Sequence, residues 1–257
     1  MVMKMNITKT YINKNMDACP HCSSKKIHKY GYYKNRQRYR CTDCMRTFTS
    51  FTNMPWSYSK KDISVWKEYI KLMENKSTLE VCKYTLKMNI STAFNWRHKI
   101  LTFLTNNLNL EKLMGVISMF RDTITENRKG NKNITTPAST FGINFALDDK
   151  QQFSFDINSN QLSVKLIDTF LNKFIHKSAY ILKTTNAYVN ISIKKFNHGK
   201  KNNFIKGENA YLLYSLYKEW KKSFKGIATV YEKKYNYFFN YINELSEIFI
   251  SPLKLII

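Results

Sequence analysis

The sequence predicts a multidomain α+β protein made of consecutive modules, and three observations carry that prediction. Two Cys-x-x-Cys pairs, Cys19-Pro20-His21-Cys22 and Cys41-Thr42-Asp43-Cys44, stand eighteen residues apart near the start of the 257-residue chain. The hydrophobic period changes from two between those pairs to nearly four after Ser59. From Gly115 onward, aromatic and β-branched runs of strand length alternate with helical stretches.

The cysteine spacing is that of a four-cysteine zinc ribbon over residues 19–52, because each pair fits a tight turn that aims two thiolates at one tetrahedral ion. Cys19, Cys22, Cys41 and Cys44 are the expected ligands of Zn²⁺. Four thiolates close the coordination shell, so the metal is expected to be structural. His21 lies inside the first pair and is an alternative ligand, though four well-spaced thiols leave it little reason to be one. A disulfide pair would suit an oxidising compartment, which nothing else in the sequence suggests. Between the pairs, Ile27–Tyr33 and Gln37–Arg40 read as aromatic strands turned over at Lys34-Asn35-Arg36, and Arg46–Thr49 as a third strand. Residues 1–18 read as a flexible basic arm, and Asn53-Met54-Pro55-Trp56 as a linker punctuated by its proline.

Residues 59–104 predict three helices. Ile63, Trp66, Ile70 and Met73 recur on one face of the first. Ser77 and Glu80 form a capping-box pattern at the start of the second, with Cys82 as a small buried hydrophobe. After the turn Met88-Asn89-Ile90, Ser91 is the expected cap of a third helix, Thr92 to Leu104. Its apolar stripe is Ala93, Trp96, Ile100 and Phe103, and its polar stripe is Thr92, Asn95, Lys99 and Thr102. A three-helix packet with a tight turn before the last helix is a helix-turn-helix arrangement, whose polar stripe can enter a major groove. A solvated face would look the same, and its position after a basic ribbon favours the DNA reading.

Residues 105–114 read as a junction and 115–250 as a separate module. Gly115–Thr125, Thr140–Leu147 and Gln152–Ile157 read as strands, followed by a helix over Leu162–Phe174 and a short strand at Tyr180–Leu182. Two helices, Glu208–Phe224 and Lys233–Phe249, close the chain's regular structure. That order is compatible with an RNase H-like mixed sheet.

Lys and Arg total 42 against 18 Asp and Glu, a formal charge of +24 spread through every region. Such a balance predicts a polyanionic partner, even after discounting an Asn-, Lys- and Ile-rich composition typical of AT-rich coding sequence. No apolar run is long enough to span a bilayer and no amino-terminal targeting segment is evident, so the expected setting is cytoplasmic and nucleoid-associated, with double-stranded DNA as partner and no membrane. Lys25, Lys26, Lys34, Arg36, Arg38, Arg40 and Arg46 are the expected phosphate contacts. Thr92, Asn95, His98 and Lys99 are the expected base-edge contacts, with Asn95 best suited to adenine.

Gln37–Cys44 with Arg46-Thr47-Phe48, and then Ser91–Leu101, resemble the front end of bacterial insertion-sequence transposases that join a zinc ribbon and helix-turn-helix to an RNase H-like DDE domain. Lys218-Glu219-Trp220 and Phe224–Tyr231 look like that family's closing segment. The resemblance implies a catalytic acid at the position of Phe120, counted inward from Gly115-Val116 and Lys129-Gly130, a second at Thr185-Asn186 and a third near Tyr211. None of these is a carboxylate, and Lys218 alone of the pattern's chemical groups is retained. Clustered carboxylates hold the two divalent cations of this chemistry against their hydration, so Mg²⁺ is expected only if the protein is catalytically active.

The expectation is therefore a transposase-family DNA-binding protein whose DDE site is lost, acting as a homo-oligomer on DNA. The alternative is an active transposase performing metal-dependent strand cleavage and transfer with Asp122, Glu126 and Glu208 as displaced acids. A zinc-stabilised scaffold without a DNA role is the third reading.

Overall fold

The computed structural model describes residues 16–33, 36–107, 111–130, 136–150, 152–159, 163–200 and 209–245. Among them are seven α-helices and two sheets, a mixed α/β architecture. Most of the arm, Lys34, Glu208 and everything after 245 lie outside the described residues. The chain divides into two compact units, one formed by 1–103 with 241–257 and the other by 104–240.

The first unit opens with a three-stranded antiparallel sheet, β1 (Ile27–Tyr33), β2 (Arg36–Cys41) and β3 (Thr47–Thr49), in the order β1-β2-β3. Its small core is Cys19, Cys41 and Phe48, with Met16, Ile27, Tyr39 and Cys44 packed against it, so the end of the expected arm is in fact part of the module. The expected linker is also packed structure. Residues 50–58 form successive turns, and Trp56 is 2% exposed, edge-on to Phe51 and to Trp66. Two indoles and a phenyl ring bury more apolar area than the proline's turn signal conceded.

Three helices come next in the chain: α1 (Ile63–Glu74), α2 (Leu79–Thr85) and α3 (Ile90–Asn107). Asp62 caps α1 by accepting from the Ser64 amide at 2.8 Å. The other two caps differ from expectation by one and two residues. Thr78 rather than Ser77 caps α2, its backbone extended and its hydroxyl accepting from the Val81 amide at 3.4 Å, while the Ser77 carbonyl accepts from the Arg97 guanidinium at 2.7 Å. At α3 the Asn89 side chain accepts from the Ser91 amide at 2.9 Å, which starts the helix two residues before Thr92. The core is aromatic: Trp66 and Trp96 stack with centroids 3.6 Å apart, and Tyr69 meets Trp96 edge-on and donates to the Ala93 carbonyl. Tyr241 belongs to this unit as well, donating to Glu74 at 3.2 Å.

The second unit is built on a four-stranded sheet of order β6-β5-β4-β7, with β4 (Val116–Thr125), β5 (Thr140–Leu147), β6 (Phe153–Ser159) and β7 (Tyr180–Ile181). β4, β5 and β6 form an antiparallel meander and β7 runs parallel to β4. One sheet face, through Ile117, Met119 and Ala146, packs on α4 (Val164–Phe174) and α5 (Ala187–Phe196). The other carries Phe120, Phe145, Phe153 and Phe155, which meet Tyr214 and Tyr217 of α6 (Ala210–Lys222) and Phe239 of α7 (Glu232–Leu245). Leu113, assigned to a junction by sequence, is buried and bridges to Ile175. Helix α5 is absent from the sequence-based reading because Tyr188-Val189-Asn190-Ile191-Ser192-Ile193 alternates like a strand. It is helical because Asn186 caps it and Val189, Ser192 and Ile193 then fall on one buried face.

Candidate functional site

Both cysteine pairs sit in the same kind of turn. The Cys19 amide donates to the Ser24 carbonyl at 2.8 Å, and the Cys41 amide to the Arg46 carbonyl at 3.0 Å. In each turn the residue four after the first cysteine has a positive φ, 61° at Ser23 and 60° at Met45. The turns are tied together: Ser24 donates to Asp43 at 2.7 Å, and the Thr42 amide to the Lys26 carbonyl at 3.0 Å. The result is a cluster in which all four sulfurs lie within 4.8 Å of one another, with Cys19–Cys44 and Cys22–Cys41 at 3.6 Å.

Sulfurs bound to one ion at ~2.3 Å in a tetrahedron are ~3.8 Å apart, so this donor set fits a structural metal such as zinc. His21 is exposed, edge-on to Phe48, and outside the four-sulfur group. The amides of Cys44 and Asp43 donate toward the Cys41 sulfur and outweigh its desolvation, holding that thiol down to about 7. At Cys22 the Ser24 amide acts the same way, but desolvation and the other three thiols outweigh it and push that thiol up, so in the metal-free cluster the turn backbone favours the thiolate, the metal-binding form, at Cys41.

The polar stripe of α3 is distributed over two degrees of exposure. Asn95 and Lys99 are exposed, whereas Thr92 and His98 are half-buried. Phe94, which sequence reasoning passed over, is also exposed and lies with its ring 4.2 Å from that of His98. Arg97 does not join the stripe. It is buried and clasps the start of α2 through Ser77, with Cys82 at 3.8 Å.

Of the expected phosphate contacts, Lys25, Lys26 and Arg46 are exposed around the cysteine turns, with Lys26 3.6 Å from Asp43. Arg36, Arg38 and Arg40 alternate along β2, and Lys34 lies outside the described residues.

In the second unit, the positions that the resemblance matches to catalytic acids are occupied by structural contacts. Phe120 packs its ring on Tyr211 and Tyr214, with centroids 5.1 and 5.3 Å away. Next to Thr185, Asn186 accepts from the Tyr188 and Val189 amides, and Asn209 does the same for Tyr211 and Leu212 at the start of α6. The two described candidates for displaced acids are paired with cations. Asp122 lies 3.6 Å from Lys218, and Glu126 lies 2.6 Å from Arg128, which together with the Ser139 amide holds its carboxyl below the usual range. Burial, reinforced by the Asp122 charge, pushes the Tyr214 hydroxyl up.

No protein-family model, curated protein or solved structure matches this chain. Its geometry must therefore speak for its chemistry. Among the described residues, the four cysteines are the one group of three or more His, Cys, Asp or Glu side chains close enough to share a metal ion. No described helix is long and apolar enough to cross a membrane.

Proposed function

We propose that this protein is a transposase-family DNA-binding protein, holding duplex DNA through a zinc ribbon and a helix-turn-helix, with the acids of a DDE site replaced. The observation that carries the reading is the first unit: a four-cysteine cluster on a basic sheet, succeeded directly by three helices whose last exposes Asn95 and Lys99. Exposed amide and ammonium groups on a helix that comes after a tight turn are what base-edge recognition requires. The net charge of +24 suits the partner.

The order β6-β5-β4-β7, with β7 parallel to an antiparallel meander and helices on both faces, supports an RNase H-like reading of the second unit. In that reading, Phe120 on β4, Thr185 after β7 and Tyr211 on α6 mark the catalytic corner. A phenyl ring, a cap-flanking threonine and a tyrosine offer a divalent cation no ionised oxygen. The alternative, an active enzyme with displaced acids, draws on Asp122, two residues beyond Phe120 on the same side of β4 and within reach of Lys218.

Two measurements test the proposal. Gel-shift titration of Asn95→Ala should lower discrimination between specific and random duplexes by about 1–3 kcal/mol, while Arg38→Ala weakens both alike. Incubating supercoiled plasmid carrying element ends with the protein and Mg²⁺ or Mn²⁺ should give no nicks. Nicking abolished by Asp122→Ala would establish the active alternative.

A further inference from the structure

The outward face of the β1–β2 sheet is built more specifically than a patch of positive charge needs to be. Along β2, Tyr39 and Cys41 turn inward to Phe48 and the sulfur cluster, which puts Arg36, Arg38 and Arg40 on the opposite face. Their cross-strand partners share that face: His28 is opposite Arg40 and Tyr33 is opposite Arg36. Regular alternation from His28 would give Tyr30 and then Tyr32. Instead the register shifts between Lys29 and Tyr32, where Gly31 adopts φ 70°, and the extra residue brings Tyr33 to the arginine face.

Side chains of β2 hold this bulge in place. Arg38 donates from Nε to the Tyr30 carbonyl at 3.1 Å and Gln37 donates to the Gly31 carbonyl at 2.8 Å. The guanidinium groups of Arg38 and Arg40 then lie 4.9 and 5.2 Å from the centre of the Tyr30 ring, and that of Arg36 lies 3.7 Å over Phe51. Tyr30 and Tyr33 remain 40% and 56% exposed. None of the three arginines forms an ion pair among the described residues. Asp62, whose carboxyl is held down chiefly by the Ser64 amide and least by the Arg36 charge, is engaged as the cap of α1.

We infer that this face binds single-stranded DNA, with phosphates along Arg36, Arg38 and Arg40 and unpaired bases stacked against Tyr30 and Tyr33. Three like charges in a row call for a polyanion. The aromatic rings decide its form. In a duplex the bases already stack on one another, and phosphate contact gains nothing from exposed tyrosines. An unpaired strand can use cations and rings together. The inference rests on the proposal that the chain binds DNA, and it adds to the duplex contacts of the first unit: the β2 arginines meet phosphates of either form, α3 reads duplex, and Tyr30 and Tyr33 favour a single strand.

The test uses the zinc-loaded full-length protein and compares an oligo-dT of about 12 nucleotides with a duplex of the same length by fluorescence anisotropy. The double variant Tyr30→Leu with Tyr33→Leu should weaken oligo-dT binding by about tenfold or more and leave duplex binding in place, while Asn95→Ala should leave oligo-dT binding in place and lower only the preference for specific over random duplex. Photocrosslinking of the unmodified protein to a halogenated oligo-dT should place adducts on Tyr30 or Tyr33, a readout independent of how the variants fold. Equal losses for single strand and duplex, or adducts confined to α3, would overturn the inference. Duplex binding without single-strand binding would sink it and leave the proposed function standing; binding of neither would sink both. Oligo-U held tenfold tighter than oligo-dT would overturn the assignment to DNA.

Discussion

The Asp148 carboxylate is buried beneath the turn between β5 and β6, where it accepts from the amides of Gln152 at 2.8 Å and Lys150 at 3.0 Å. Burial pushes its carboxyl up despite those amides, and the neighbouring Asp149 charge adds to the effect. A folded-state pKa above the unfolded value contributes stability that is full below the unfolded pKa and is lost as pH rises through the folded one. Asp148→Asn keeps an acceptor oxygen and removes the charge. Thermal melts should therefore show the variant gaining most on the parent near neutral pH, with the gap closing as pH falls toward 4, about the ordinary aspartate value. At Arg97 the residue scale works in the opposite sense: a cation in the middle of an otherwise readable helix pattern is buried because a carbonyl just before α2 receives it.

At the scale of elements, the three-stranded sheet has a core of three fully buried residues, too little to offset the entropy of ordering about 35 residues. A metal at the four cysteines would supply the difference, since structural zinc contributes on the order of 10–16 kcal/mol in small modules. Purified protein should carry close to one zinc per chain. A chelator, or Cys41→Ser, should then erase the amide dispersion of residues 19–49 in NMR spectra while the signals of β4–β6 persist. The turns at 50–58 are a second structural element that looks dispensable in sequence. Trp56→Ala removes an indole wedged between Phe51 and Trp66, and should cost about 3–5 kcal/mol in denaturant unfolding of the first unit.

At the scale of the whole molecule, the proposed DNA binding by a chain of +24 should weaken steeply as salt rises, because each neutralised phosphate releases a counterion. The second unit is where the proposed loss of the DDE acids can be tested. A phenyl ring among Tyr211 and Tyr214 packs without repulsion, whereas clustered carboxylates repel one another when no cation is present. Phe120→Asp should therefore lower metal-free stability by about 2 kcal/mol or more. The unmodified protein should show no Mg²⁺-dependent rise in melting temperature. A clear rise that disappears with Asp122→Ala would mean that the acids have moved along β4 instead of vanishing.

Ligand spacing and hydrophobic period are local properties, and the sequence alone determined the features they govern. Two Cys-x-x-Cys pairs can close around one ion because each turn needs only its own few residues. Ile63, Trp66, Ile70 and Met73 define a helix face wherever that helix packs. The strands over 140–147 and the helix ending at Phe174 were legible for the same reason. Tertiary structure decided the features that depend on competition between partners. Ser77 and Thr78 are both competent caps, and where the helix begins, with Thr78 extended just ahead of Leu79, makes Thr78 the one that caps. The run Tyr188–Ile193 alternates as a strand would, yet burial against α4 and the sheet makes it a helix. The arginines of β2 were readable as charge. Tyr30 shares their face by plain alternation from His28, but Tyr33 does so only through the bulge at Gly31, because side-chain direction in a strand has period two and a single inserted residue reverses it.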